Sequence, residues 1–135
     1  MAHFETKIKR VVRDKKGNDK EIAEVYFVEN AVSFGDAETR IQTYWNCECD
    51  VVAVAMSRVM DIVNPRTDEE EFIYKAIIAS VFIDDNENEK EMKYPVLVFA
   101  KSLEEATGRV IGYMDEGLGD MNLHSITKTK IVEVI

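Results

Sequence analysis

An internal repeat dominates this sequence. The segment Ala31–Ile41 (AVSFGDAETRI) resembles Ala100–Val110 (AKSLEEATGRV) at an offset of 69 residues, with Ala, Ser, Ala and Arg at matching places. Similarity between two segments at a fixed offset is typical of a supersecondary unit that is used more than once. The sequence therefore predicts two similar halves, residues 1–66 and 67–135, that arose by duplication. The alternative is chance similarity between two strand-helix segments.

The repeat extends to the strands around this segment. The same offset places Ile8 on Ile77 and Val12 on Val81, and an offset of 72 places residues 60–63 on residues 132–135. Each half is then interpreted as strand-strand-helix-strand.

The first half has clear signals for each element. Its hydrophobic pattern and turn residues predict strands over Phe4–Arg13, Glu21–Val28 and Val51–Ile62, with the hairpin turn around Gly17 and Asn18. Ser33 is a good N-cap for a helix that runs to about Trp45.

The second half repeats this order. Strands are predicted over Phe72–Ile83, Tyr94–Ala100 and Ser125–Val134, and Ser102 with Glu105 forms a capping box before the second helix. Residues 64–71 are predicted to connect the halves. Because an isolated half buries its sheet face poorly, residues 1–135 are expected to fold as one domain.

Together these elements predict an α+β fold. We expect a duplicated strand-strand-helix-strand unit that forms a six-stranded, mostly antiparallel curved sheet with two helices on one face.

Composition restricts the class of protein. The 135 residues are 46% hydrophobic and 32% charged, which favours a globular chain over a disordered one. No apolar run approaches the roughly 18–20 residues of a membrane helix, and the N-terminus has no signal-peptide core. We therefore expect a cytoplasmic protein, with Cys47 and Cys49 as free thiols, because a disulfide between them would close a strained loop.

The sequence has no motif for catalysis or metal binding. A nucleophilic pair of Cys47 or Cys49 with His124 has no support in the spacing, and two cysteines supply only half of a structural zinc site. The acidic segment 84–89 lacks the central glycine and terminal glutamate of an EF-hand loop, and a solvated hairpin tip explains it better. We expect no enzyme activity, no cofactor and no metal.

Charge is distributed unevenly along the chain. The net charge of −9 argues against a duplex-DNA binder, but residues 1–66 carry a net −1 and residues 67–135 a net −8. The second hairpin is acidic, with Asp84, Asp85, Glu87, Glu89 and Glu91. The first hairpin is basic, and its candidate binding residues are Lys7, Lys9, Arg10, Arg13, Lys15 and Lys16, with Lys20 nearby.

Three interpretations of these hairpins remain open. The basic hairpin binds single-stranded nucleic acid, with Tyr26, Phe27, Tyr44 or Trp45 as stacking surfaces. Alternatively, basic hairpins of one subunit meet acidic hairpins of the next, which gives a homo-oligomer, or they meet a protein partner. In the third interpretation the charges are solvated and protect the sheet edges.

Two stretches resemble a known family. Tyr26–Ile41 (YFVENAVSFGDAETRI) and Ser125–Val134 (SITKTKIVEV) are similar to signatures of short proteins, with a domain-of-unknown-function label, from Bacteroidetes and their tailed phages. Lys128 stands where the family usually has an acidic residue. The resemblance implies a phage or mobile-element setting in a bacterial host, and it implies no activity. The expected function is therefore non-enzymatic binding.

Overall fold

The computed structural model describes residues 2–63, 71–117 and 120–135. These residues form an α+β fold, as the sequence predicts. The elements are β1 (Ala2–Arg13), β2 (Asp19–Ala31), α1 (Phe34–Tyr44), β3 (Asp50–Ser57), β4 (Asp61–Val63), β5 (Phe72–Ile83), β6 (Glu89–Ala100), α2 (Leu103–Asp115), β7 (Asp120–Lys128) and β8 (Ile131–Val134). The predicted connection at 64–71 lies, except for Glu71, outside the described residues.

The first compact unit comprises Met1–Ser57 and Lys130–Ile135. Its sheet has the order β3-β1-β2-β8, in which β8 runs parallel to β2 and the other pairs are antiparallel. Helix α1 presents Ala37 and Ile41 to this sheet. Ala37 packs with Phe4, and Ile41 packs with Ile8, so the core of the unit lies between helix and sheet.

The second compact unit comprises Arg58–Thr129. Its sheet has the order β4-β6-β5-β7, with β4 parallel to β6 and the other pairs antiparallel. Helix α2 packs on this sheet through Ala106 and Val110, which contact a fully buried core that includes Ile78, Val96 and Val98.

The prediction of six strands in one curved sheet is wrong. The described residues form eight strands in two sheets of four, and each helix packs on its own sheet. The number of strands differs because the third strand predicted in each half is divided into two. Val51–Ile62 becomes β3 and β4, and Ser125–Val134 becomes β7 and β8.

Specific hydrogen bonds accompany each division. The Met60 N–H donates to the Pro95 carbonyl oxygen at 2.9 Å, and the Thr129 N–H and Oγ1 donate to the Ile73 carbonyl oxygen at 3.0 and 2.8 Å. These bonds satisfy backbone groups at points where the chain leaves one strand ladder before it enters another. Beyond these points, β4 pairs with β6 of the second hairpin and β8 pairs with β2 of the first.

The sequence alignment of the first strands is wrong by one residue. Ile8 pairs with Glu24 of β2 and with Val51 of β3, directly after a register shift. The residue at the equivalent position of the second unit is Ile78, which pairs with Tyr94 and Leu123, and not Ile77. A slip of one residue would turn every side chain to the other face. Ile8 and Ile78 are both fully buried, which fits an offset of 70.

A β-bulge accounts for the change of offset. The register of β1 with β2 shifts between the pairs Ala2–Ala31 and Phe4–Val28, so β2 holds one extra residue there. Asn30 lies at this bulge with φ +54°, a left-handed conformation that asparagine tolerates better than most residues. Beyond the bulge the offset between the two units is 69, as in the helices.

Candidate binding surfaces of the two hairpins

A rigid turn closes the first hairpin. Asp14 Oδ1 accepts hydrogen bonds from the backbone N–H groups of Lys16 and Asn18, both at 2.9 Å, and the Asp14 N–H donates to the Asn18 carbonyl oxygen at 2.8 Å. Gly17 has φ +80°, which a residue without Cβ adopts at little cost. Lys15 and Lys16 therefore project from a well-defined backbone.

The structure does not bring all six predicted basic residues onto one surface. Because side chains alternate along a strand, Lys7, Lys9 and Arg13 lie on the exposed face of β1, whereas Arg10 lies on the face that carries Ile8. Lys15 and Lys16 are in the turn between β1 and β2, and both are exposed.

Three of the six form ion pairs with acidic residues of β2. Lys9 Nζ lies 3.8 Å from Glu21 Oε1, Arg13 Nε lies 3.9 Å from Asp19 Oδ1, and Arg10 Nε contacts Glu24 Oε1. The first two pairs are exposed and contribute little to stability, but each neutralises a cation locally. These ion pairs are not among the sequence predictions, although the hairpin turn around Gly17 and Asn18 implies a register that places acidic residues of β2 near the cations of β1.

Lys7, Lys15, Lys16 and Lys20 make no ion pair with the described residues. All four side chains are exposed. We call them the free lysines of the first hairpin, because their ammonium groups are available to an anionic partner.

Arg10 has a structural role. Its guanidinium lies 4.4 Å from the ring centroid of Trp45, and the hydrogen bond to Glu24 raises its pKa. The Tyr26 hydroxyl also donates to Glu24 at 3.3 Å, and burial raises the pKa of Tyr26. Arg10 therefore connects β1 to β2 and covers the Trp45 ring. Because its guanidinium is already paired, it is not available to an anionic partner.

The aromatic residues are mostly unavailable for stacking. Tyr26 and Phe27 are buried, and Trp45 is half-buried beneath Arg10 and contacts Tyr26 edge-on. The Trp45 indole N–H is buried and has no hydrogen-bond partner among the described residues. Tyr44, at the end of α1, is the most exposed of these four at 49%, although its ring also contacts those of Tyr26 and Trp45.

The second hairpin has the same turn with the opposite charge. Asp84 Oδ1 accepts from the N–H groups of Asn86 and Asn88, both at 2.9 Å, and the Asp84 N–H donates to the Asn88 carbonyl oxygen at 2.9 Å. Glu87 has φ +62° where the first turn has Gly17. The two tips thus share a backbone design, but one displays lysines and the other displays carboxylates.

Apolar side chains are exposed beside the acidic tip. Phe82 is 47% exposed, Ile83 73% and Met92 53%, whereas the first hairpin exposes one large apolar residue near its tip, Val11. Exposed apolar groups beside a charged rim are typical of protein-binding surfaces.

The two cysteines lie in a shallow groove of about 320 Å³ that Lys9, Arg10 and Glu21 also line. Cys47 is an exposed free thiol with φ +61°, and burial raises the pKa of the Cys49 thiol. A raised pKa lowers the thiolate fraction and with it the reactivity. Among the described residues no group of three or more His, Cys, Asp or Glu side chains is arranged to hold a metal ion.

The two histidines lie on different strands, His3 on β1 and His124 on β7. His3 Nδ1 accepts from the Asn30 N–H at 3.1 Å, and its ring lies 5.3 Å from that of Phe27. His124 is exposed at a register shift in β7. In the part of the chain that the structure describes, no helix has the length and apolar character to cross a membrane.

Comparison with known proteins shows the family. The model of the family described as Domain of unknown function (DUF4494) matches residues 2–135, so the chain belongs to this family, as its resemblance to an uncharacterised-domain family implies. No curated protein matches the chain.

Proposed function

We propose that this member of the DUF4494 family is a non-catalytic binding protein, and that the tip of its first hairpin contacts single-stranded nucleic acid through the phosphate backbone. The free lysines carry this proposal. They remain exposed after the other cations of the hairpin are paired, and the hydrogen-bonded turn holds two of them, Lys15 and Lys16, in a defined position. Exposed lysines on a rigid support are suited to phosphate contacts.

Base stacking is not the basis of this proposal. Proteins that grip single strands tightly combine cations with open aromatic rings. Here Tyr26 and Phe27 are buried, and Trp45 is covered by Arg10. We therefore expect weak, sequence-independent binding that depends steeply on salt.

The test is fluorescence anisotropy of a labelled single-stranded oligonucleotide at about 50 and 200 mM salt. In Lys15→Glu/Lys16→Glu, the loss of two phosphate contacts should reduce affinity about tenfold or more and lower the salt slope by about 1.4. The matched control is Lys90→Glu/Lys93→Glu, which changes net charge equally on the second hairpin and should leave binding within about twofold.

Two results would contradict the proposal. Absence of binding by the unmodified protein at about 50 mM salt would remove nucleic acid as the partner. Equal losses in both double variants would show that overall charge, and not the first hairpin, controls the interaction.

A second candidate function is self-assembly, and the matched turns favour it. The turns at Asp14 and Asp84 have the same hydrogen bonds but opposite charges, and Phe82, Ile83 and Met92 add exposed apolar surface. A basic tip of one copy would meet an acidic tip of the next, which is a head-to-tail contact. Exposed charge pairs are screened over about 8–10 Å at physiological ionic strength, so such an assembly should loosen with salt.

Charge reversal distinguishes this candidate. In light scattering at low salt, Lys15→Glu/Lys16→Glu and Asp85→Lys/Glu87→Lys should each lose the salt-sensitive association, because each variant then has two tips of one sign. A mixture of the two variants should associate again. Failure of the mixture to associate would reject the tip-to-tip contact while leaving nucleic-acid binding to be judged by anisotropy.

The genomic setting and origin belong to the same proposal. We place the protein in a phage or mobile element within a bacterial cytoplasm, on the resemblance of Tyr26–Ile41 and Ser125–Val134 to the family signatures. We also propose that the two halves arose by duplication, which is supported by Ser33 and Ser102 as N-caps in the same role. Neighbouring replication genes would favour nucleic-acid binding, and capsid or tail genes would favour assembly.

A further inference from the structure

Strand β3 is an open edge of the first sheet. The sheet order begins at β3, which pairs with β1 on one side and with no strand of the described residues on the other. The backbone N–H and C=O groups of an open edge can pair with another strand, so such edges invite association.

The residues of β3 do not protect this edge. From Val51 to Ser57 the strand has no charged residue and no proline, and its side chains Val52 and Met56 are 51% and 61% exposed. Ala53 and Ala55 are also exposed. The bulge at Val52, between the pairs Lys7–Ala53 and Ile8–Val51, is the one protective device that β3 carries within the described residues.

The corresponding edge of the second unit differs. Strand β7 has the same place in its sheet as β3 and the same kind of register shift, at His124. Its exposed positions carry His124, Ser125, Thr127 and Lys128, and it begins at Asp120. Polar and charged residues of this kind are how natural edge strands avoid pairing. The contrast singles out β3 as an edge suited to a partner.

We infer that β3 pairs antiparallel with β3 of a second copy of this chain, which joins two four-stranded sheets into one of eight strands. A two-fold pairing centred on Val54 aligns Ala53 of each copy with Ala55 of the other. Because an antiparallel self-pair sets identical strands against each other, a strand without charge avoids like-charge repulsion.

Charge complementarity at the strand ends supports a second copy as the partner. Asp50 begins β3 and Arg58 follows its last residue in the chain; both are exposed, and neither has an ion-pair partner among the described residues. The antiparallel arrangement brings Asp50 of each copy to the end where Arg58 of the other lies. The pairing is isologous and therefore closes as a dimer.

This inference is independent of the proposed function. The strand pairing depends mainly on backbone hydrogen bonds and apolar contacts, so screening of the exposed Asp50–Arg58 pairs at its ends weakens it little, whereas hairpin contacts weaken strongly with salt. Size-exclusion chromatography with light scattering at about 0.15 and 1 M salt should therefore show a dimer at both concentrations.

Two charged variants and a matched control test the surface. Ala53→Lys/Ala55→Lys should be monomeric, because the aligned positions become like-charged, and so should Ala53→Glu/Ala55→Glu. An equimolar mixture of these two variants should form a heterodimer. The control Ser125→Lys/Thr127→Lys places the same charges at the equivalent exposed positions of β7 and should remain dimeric.

The oligomeric state of folded variants tests the pairing of β3 with a second copy. Circular dichroism should first show that each variant is folded, which is expected because all four substituted positions are exposed. A monomeric unmodified protein at concentrations near 100 μM, about the range of a weak specific contact, would overturn the inference. A dimer that persists in both charged β3 variants would also overturn it.

Discussion

Arg40 and Arg109 show what a recurring residue of the repeat does. Arg40 donates from Nη1 to the Glu29 carbonyl oxygen at 2.7 Å and from Nη2 to the Ile135 backbone oxygen at 2.9 Å. Arg109 donates from Nη1 to the Phe99 carbonyl oxygen and to Glu71 at 3.1 Å. The sequence repeat identified both arginines. Only the structure shows that they connect each helix to the end of a strand.

Replacement of these arginines should destabilise the protein unequally. Arg109→Ala should lower the free energy of unfolding by about 2–3 kcal/mol, because Glu71 is buried and loses a charged partner. Arg40→Ala removes hydrogen bonds to carbonyl oxygens only and should cost about 1–2 kcal/mol. Urea denaturation measures both values. The additional change Glu71→Gln should recover part of the loss in Arg109→Ala, and no recovery would show that the buried charge is not the cause.

The hairpin turns are elements whose conformation follows from local sequence. Both turns are closed by an aspartate that accepts two backbone N–H bonds, and both have a residue at positive φ three positions later. Gly17 suits this position, whereas Glu87 is strained there because its Cβ approaches the backbone. The sequence predicts the first turn from Gly17 and Asn18 and the second over Asp84–Glu91, but the hydrogen bonds that the two turns share are shown only by the structure.

Glycine exchange should therefore have opposite effects in the two turns. Gly17→Ala should destabilise the protein by about 1 kcal/mol, although its Cβ would meet no atom within 4 Å, because φ +80° disfavours any side chain. Glu87→Gly should stabilise it by about 0.5–1 kcal/mol. Thermal denaturation by circular dichroism compares the two. Equal effects of the same sign would mean that the turns are not conformationally equivalent.

At the scale of the whole molecule, the short strands β4 and β8 define how each sheet is completed. Val63 of β4 is in the core of the second unit, and Ile131 of β8 is buried beside β2. The backbone continues the pairing of β8, since the Ile135 N–H donates to the Phe27 carbonyl oxygen at 2.8 Å. Each predicted half thus contributes its last strand to the sheet formed by the hairpin of the other half.

This exchange should couple the unfolding of the two units, and the single domain expected from the sequence stays a prediction that such coupling tests. Val63→Ala should cost about 1–2.5 kcal/mol and Ile131→Ala about 2–3 kcal/mol. The chain has one tryptophan, Trp45, which reports on the first unit. If the protein unfolds in one step, Trp45 fluorescence and far-ultraviolet circular dichroism should shift together in Val63→Ala, whose substitution is in the second unit. Separate transitions would show two domains.

The sequence alone determined the elements that depend on neighbours along the chain. The serine caps, the alternation of the strands and the first hairpin turn act over a few residues, so the helices begin at Phe34 and Leu103 as their caps predict. The same local information identified a basic and an acidic hairpin. These signals do not depend on which segment lies across the sheet.

Only the tertiary structure decided the choice of partners. The division of Val51–Ile62 and Ser125–Val134 depends on which sheet each strand joins, and that choice is made by contacts between segments distant in sequence. The candidate site follows the same rule. Arg10 is basic in the sequence, but its bond to Glu24 and its position over Trp45 remove its charge from the binding surface. Local chemistry therefore predicts the elements, and long-range pairing decides which of their charges and edges remain open.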